Sequence, residues 1–128
     1  MRFLIDTHVF LWFIAGDARL SQPVRKAIED EENEVLMSIA SVWEIAIKIS
    51  VGKLILAKPF ADLIPEQIAE NEIELMPVRM DDLKLIATLP LHHRDPFDRL
   101  LIAQASVQGI ALASDDANFA RYGVPLFW

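Results

Sequence analysis

A chain of 128 residues with 53% hydrophobic content and no cysteine can bury one core, is too apolar for a disordered segment, and excludes disulfides and thiolate metal sites. Nineteen acids against twelve lysines and arginines give a net charge of −7, which rules out a protein that holds nucleic acid by positive charge alone. No apolar run reaches the roughly 18 residues of a membrane span, and Asp6 breaks the N-terminal run too early for a signal peptide. A cytoplasmic unit over residues 1–128, without a membrane segment, is therefore the expectation.

In chain order, Arg2 to Ile5 is a short apolar run ending at Asp6, the pattern of a buried strand. Thr7 to Ala15 reads as helix, closed by Gly16. Ser21 and Pro23 open a second helix, which runs to about Glu32. Glu34 to Ser38 reads as a strand and Ile39 to Gly52 as a long apolar helix. Pro59 to Asn71 reads as helix, Glu72 to Met76 as strand, and Met80 to Thr88 as a helix ended by Pro90. Asp95-Pro96 opens another helix, because proline suits the first turn, and Gly109 closes it. Ile110 to Ala113 is a strand, followed by a short helical turn and an edge strand at Pro125 to Phe127. Strands alternating with helices predict a three-layer α/β fold, its mostly parallel sheet covered on both faces.

In such sheets ligands bind beyond the carboxyl ends of the strands, and acids gather there in this chain. Asp6 follows the first strand, Asp116 follows the strand ending at Ala113, and Glu44 lies in the helix after the second strand. Asp98 joins them if the loop before its helix passes the same edge. Two carboxylates about 5 Å apart repel by roughly 3 kcal/mol at an effective dielectric near 20, so four cannot all stay ionised unaided. A divalent cation removes the conflict, and an all-oxygen donor set selects Mg²⁺ or Mn²⁺ over Zn²⁺. Such an ion activates water and steadies charge on a phosphate. Each acid also has a local explanation. Asp6 suits the cap of the helix at Thr7. Glu44 stands three residues after Ser41 and four before Lys48, spacings of a capping box and an ion pair. Asp98 suits a first helical turn, and Asp116 or Asp115 suits a turn after a strand.

Four segments, FLIDTHVFLW (Phe3 to Trp12), SIASVWEIAIK (Ser38 to Lys48), HHRDPFDRLLIAQA (His92 to Ala105) and LASDDANFARYGVPLFW (Leu112 to Trp128), occur in this order. Together they resemble the PIN-domain ribonucleases, in particular the VapC-type toxins of type II toxin–antitoxin pairs. The resemblance spans essentially the whole chain, and DPFDRLLIAQA after His-His-Arg is its most specific part. It implies a PIN-like fold and a Mg²⁺-dependent endoribonuclease, with Mn²⁺ as a substitute, leaving a 5′-phosphate and a 3′-hydroxyl. It also implies a VapB-like antitoxin as inhibitor and a homodimer. By that resemblance Asp6 and Asp98 are direct metal ligands, Glu44 and Asp116 support them, and the hydroxyls of Thr7 and Ser114 steady the acids. Asp115 departs from the usual pattern; the placing of Phe119 and Tyr122 favours Asp116 over it.

His93, Arg94 and Arg99 are read as a basic rim for RNA phosphates. His8 is read as a packed or capping residue, and Trp12 and Trp43 as core. Val9 to Ile14, apolar all round, implies deep burial or contact with another chain. A phosphoacceptor switch of the receiver type is a competing reading, but Thr7-His8 follows Asp6 where a second acid is required, and no lysine follows Ala113. A catalytically silent binding module of the same fold is the remaining alternative; loss of one acid would mark it, and all four are present.

Overall fold

The computed structural model describes all 128 residues. The first strand, β1 (Arg2–Ile5), runs into α1 (Thr7–Ala15), followed by α2 (Gln22–Glu29), β2 (Glu34–Ser38) and α3 (Ile39–Ser50). Then come α4 (Phe60–Glu70), β3 (Glu74–Met76), α5 (Met80–Ile86), α6 (Pro96–Gln108) and β4 (Ala111–Ala113). A 3₁₀ helix (Ala117–Tyr122) and β5 (Leu126–Phe127) complete the chain. Every element expected from the pattern is present, with ends shifted by one to three residues, the largest shift being at α2, which stops at Glu29 rather than near Glu32. Gly16 and Gly109 close α1 and α6 with left-handed φ of 64° and 65°, a conformation in which a side chain would be strained. The long helix α3 is capped by Ser38, whose hydroxyl accepts from the Ala40 amide. The capping-box spacing of Ser41 and Glu44 is therefore not used, because β2 passes directly into the helix.

The sheet has five strands in the order β3-β2-β1-β4-β5, and all four pairings are parallel. Alternation along the strands divides the core in two. Phe3 and Ile5 of β1 and Val35 and Met37 of β2 face one way, onto Val9, Phe10, Val24, Ile45 and Ile64 of α1 to α4. Leu4, Leu36 and Leu112 face the other way, onto Leu101, Ile102 and Ala105 of α6 and onto Phe119. Helices thus cover both faces, the arrangement a parallel sheet needs to bury its backbone. No helix is long and apolar enough to cross a membrane.

Two apolar expectations need correction. Trp43 is not core: it is 63% exposed and its ring meets only the edge of Phe97, with centroids 5.3 Å apart. The buried positions of α3 are Ala40, Ser41, Glu44 and Ile45, so Trp43 lies off the face that packs inward. His8 is exposed and tilts against the Trp12 ring at 5.7 Å rather than packing inside.

Because β2 and β3 lie on one side of β1 and β4 and β5 on the other, strand order reverses between β1 and β4. The crevice outside their carboxyl ends is where this topology leaves room for a ligand.

Candidate active site

Asp6 follows β1 at that crevice. It is the N-cap of α1, its Oδ1 accepting from the Val9 amide at 2.8 Å, and its own amide donates to the Ala113 carbonyl of β4 at 3.3 Å. The residue is 5% exposed. Burial pushes its carboxyl upward, against the lowering effect of hydrogen bonds from Ser114 and Val9. The capping role and the site role coincide in one side chain.

Asp98 sits in the first turn of α6. Asp95 caps that helix, its Oδ1 accepting from the amides of Phe97 (2.8 Å) and Asp98 (3.2 Å). Burial, then the neighbouring Asp95 carboxylate, push the Asp98 carboxyl up to about 7; Glu44 and Asp6 push the same way and His93 opposes them. This carboxyl resists ionising first because water is withdrawn from it and then because three other acids repel its charge.

Glu44 is 6% exposed and both its oxygens are engaged. The Thr7 hydroxyl donates to Oε1 at 2.7 Å, and the Lys48 ammonium lies 2.9 Å from Oε2. Asp116 caps the 3₁₀ helix, Oδ1 accepting from the Asn118 amide at 2.9 Å, while its amide donates to Ser114 Oγ at 3.1 Å. Asp6, Asp98, Asp115 and Asp116 line one cavity of about 260 Å³, with His8, Trp12 and Phe119 as its other walls. Asp115 is the more exposed of the adjacent pair and raises the Asp6 carboxyl through its charge. A larger depression of about 520 Å³ lies at the opposite end of the strands, lined by surface acids such as Glu29, Glu34 and Glu74. It contains no basic or nucleophilic group.

Three of the four acids expected from sequence, Asp6, Asp98 and Asp116, thus meet in one cavity although they come from separate elements; Glu44 does not line it and acts on Asp98 through its charge. The basic rim divides. Arg94 is exposed. Arg99 is turned away from the cavity: its guanidinium donates to the carbonyls of Pro90 (3.0 Å), Ile86 (3.3 Å) and Leu89 (3.4 Å) and to the Tyr122 hydroxyl (3.3 Å). That geometry makes it a strut for the loop between α5 and α6, not a free phosphate contact. His93 is not on the rim at all. Its Nε2 lies 3.0 Å from Asp98 Oδ2 and 3.0 Å from Asp116 Oδ2, and one ligand atom from each of these three residues falls within 4.8 Å of the others.

Sequence reasoning missed this bridge and also Tyr122, whose hydroxyl accepts from the amides of His92 (3.0 Å) and His93 (2.9 Å). These contacts join residues about thirty positions apart, and no local pattern announces them.

The donor set suits a hard divalent cation. It offers carboxylate oxygens and no thiolate, and the upward push on Asp98 and Asp6 is the conflict a cation relieves.

A family profile described as the PIN domain matches residues 3–125. Among characterised relatives, the ribonuclease VapC22 of Mycobacterium tuberculosis is 30% identical over 125 residues, covering 95% of this chain and 92% of that protein. Ribonuclease VapC16 of the same organism is 41% identical over 55 residues, a local match spanning 43% of this chain and 38% of that protein. Among solved structures, VapBC2 from Rickettsia felis, bound to a DNA fragment from the promoter, superposes with a TM-score of 0.73 at 13% identity, covering 99% of this chain and 98% of that one. At that identity the likeness speaks for the fold alone.

Proposed function

The chain belongs to the PIN-domain family, among the VapC-type proteins, and from that premise we propose that it is a metal-dependent endoribonuclease, the toxin of a toxin–antitoxin pair. The observation that carries the reading is the meeting of Asp6, Asp98 and Asp116 in one cavity at the crevice between β1 and β4. Asp6 and Asp98 are the direct ligands of Mg²⁺, or of Mn²⁺ in its place, and Glu44 and Asp116 support them. When bound, the cation supplies the positive charge that makes water acidic enough to attack and that stabilises the scissile phosphate.

The chain's own residues do the rest. Thr7 and Lys48 occupy both oxygens of Glu44, which fixes its carboxylate and suits it to a supporting place. Ser114 stands between Asp6 and Asp116: its hydroxyl accepts from the Asp116 amide and its side chain lowers the Asp6 carboxyl. Trp12 and Phe119 wall the cavity and limit the water that reaches it. Arg94, exposed and with no ion-pair partner, is the remaining basic side chain for an RNA phosphate.

Partners follow from the surface. A groove of about 450 Å³ is lined by Leu11, Trp12, Ile14, Leu54 and Leu56, with Lys48 and Lys53 on its border. It suits an apolar, acid-flanked segment of a VapB-like antitoxin. Exposed Ile39, Trp43, Met80 and Leu83 on α3 and α5 suit a second copy of the chain. We read residues 1–128 as one PIN-like unit. The alternative of a silent binding module has no observation in its favour.

The test is direct. Purified protein incubated with a mixed RNA pool and Mg²⁺ is expected to produce fragments with 5′-phosphate ends. Excess chelator stops the reaction, and Mn²⁺ restores it. Cleavage that continues unchanged in chelator overturns the reading.

A further inference from the structure

His93 bridges the very carboxylates that form the proposed cation seat. Resting on that reading, we propose that His93 is an internal competitor of the cation: its Nε2–H, bonded to Asp116 and set against Asp98, occupies the seat in the metal-free protein and is displaced when the ion enters. The spacing alone does not decide this, because adjacent ligands of an octahedral ion with bonds of about 2.1 Å also lie about 3 Å apart. The position of the ring proton decides it. Nδ1 of His93 accepts a hydrogen bond from the Asp95 amide at 3.1 Å, so Nδ1 presents its lone pair and the proton is on Nε2. A nitrogen that carries a hydrogen cannot ligate a metal. It instead donates to Asp116 Oδ2 at 3.0 Å, with Asp98 Oδ2 lying 3.0 Å from the same nitrogen.

The ring is held in this role from several sides. Its backbone amide donates to the Tyr122 hydroxyl at 2.9 Å, on the 3₁₀ helix that Asp116 caps. Its face tilts against Phe119, with centroids 5.7 Å apart, and the side chain is 14% exposed. Moving the ring proton to Nδ1, the only way to offer a bare Nε2 from this orientation, would set Nδ1–H against the Asp95 N–H, donor against donor. An ion placed between the two carboxylate oxygens meets the Nε2 hydrogen, so the imidazole has to leave. His93 therefore occupies the seat beside both acids when no cation is present and lowers cation affinity by having to be moved.

Calorimetric titration with MnCl₂ and ring-nitrogen NMR test the proposal without reference to cleavage. His93→Ala is expected to bind Mn²⁺ about tenfold more tightly than wild type, the scale of one charge-assisted hydrogen bond. His93→Gln, which keeps an N–H donor, is expected to stay near wild type. In the unaltered protein, NMR is expected to report the proton on Nε2 without metal. On adding Mg²⁺ the Nε2 signals change, and Nε2 stays protonated. Equal or weaker Mn²⁺ binding by His93→Ala, or loss of the Nε2 proton on Mg²⁺ binding, overturns the competitor and makes His93 a bystander or a ligand. If His93→Ala fails to fold, the NMR arm decides alone. Wild-type Mn²⁺ affinity retained by Asp98→Asn points to a different failure, that of the cation seat itself.

Discussion

Asp98→Asn is expected to lose RNA cleavage by at least about 10²-fold, more than the loss of a residue that merely orients a ligand, while the metal-free protein becomes no less stable. The two effects have one cause. Asp98 is half-buried near Asp95, Glu44 and Asp6 and its carboxyl is pushed up to about 7, so its charge opposes folding unless a cation is present. Asparagine keeps the shape and can keep its place beside His93 Nε2, but it removes that charge. In chelator at pH 8 the variant's melting temperature should therefore match or exceed that of wild type. At pH 5, where Asp98 is already protonated in the folded wild type, the gap should close. Single-turnover cleavage and thermal melts on the same preparations check both halves. A variant that cuts as fast as wild type removes Asp98 from the site; one that melts far lower shows that its charge supports the fold.

Acidity should also govern the stability of the metal-free wild type, in the direction opposite to ordinary acid denaturation. A carboxyl whose folded-state value is raised from 3.8 to about 7 binds its proton more tightly in the folded state than in the unfolded one. The stability this provides is fully present below about pH 4 and is lost as pH rises through about 7. Burial pushes Asp6 in the same direction. Asp17, held down to about 2 by Arg19, acts only in more acid solution. Between pH 5 and pH 8 in chelator the melting temperature is expected to fall. The Asp98 contribution is about 2 kcal/mol once screening by solvent is allowed for, or roughly 5–10 °C. Saturating Mg²⁺ should flatten the slope, since a bound cation favours the charged acids at every pH. A melting temperature that rises over this range in chelator contradicts the charge conflict.

Much of this was legible in the sequence because strong local signals and the sheet rule agreed. The apolar run Arg2 to Ile5 ending at Asp6, the Asp95-Pro96 helix start and the Gly109 stop each have a mechanism at the level of single residues. A parallel sheet then sends Asp6 and the end of β4 to the same edge. The Glu44–Lys48 pair followed from helix spacing and was found at 2.9 Å. The loop before α6 was not legible. His93 reaches Asp116 across 23 positions and Tyr122 across 29, and helical or strand periodicity carries no information about such meetings. Arg99 was misread for a related reason. An arginine beside a catalytic acid suggests phosphate, but the carbonyls at and just past the end of α5 are nearer and take its donors. Trp43 shows the limit of composition: a large ring in an apolar helix is core only if its face of the helix meets another element, and here that face is open.

Asp6 and Asp98 serving one ion is the claim on which the chemistry rests. Diffraction at the manganese edge from crystals of the full chain soaked in MnCl₂ tests it most directly. The expected result is an anomalous peak in the cavity at the β1–β4 crevice, within about 2.5 Å of a carboxylate oxygen of both residues. Manganese found only elsewhere on the acidic surface, with neither Asp6 nor Asp98 touching it, would contradict that claim.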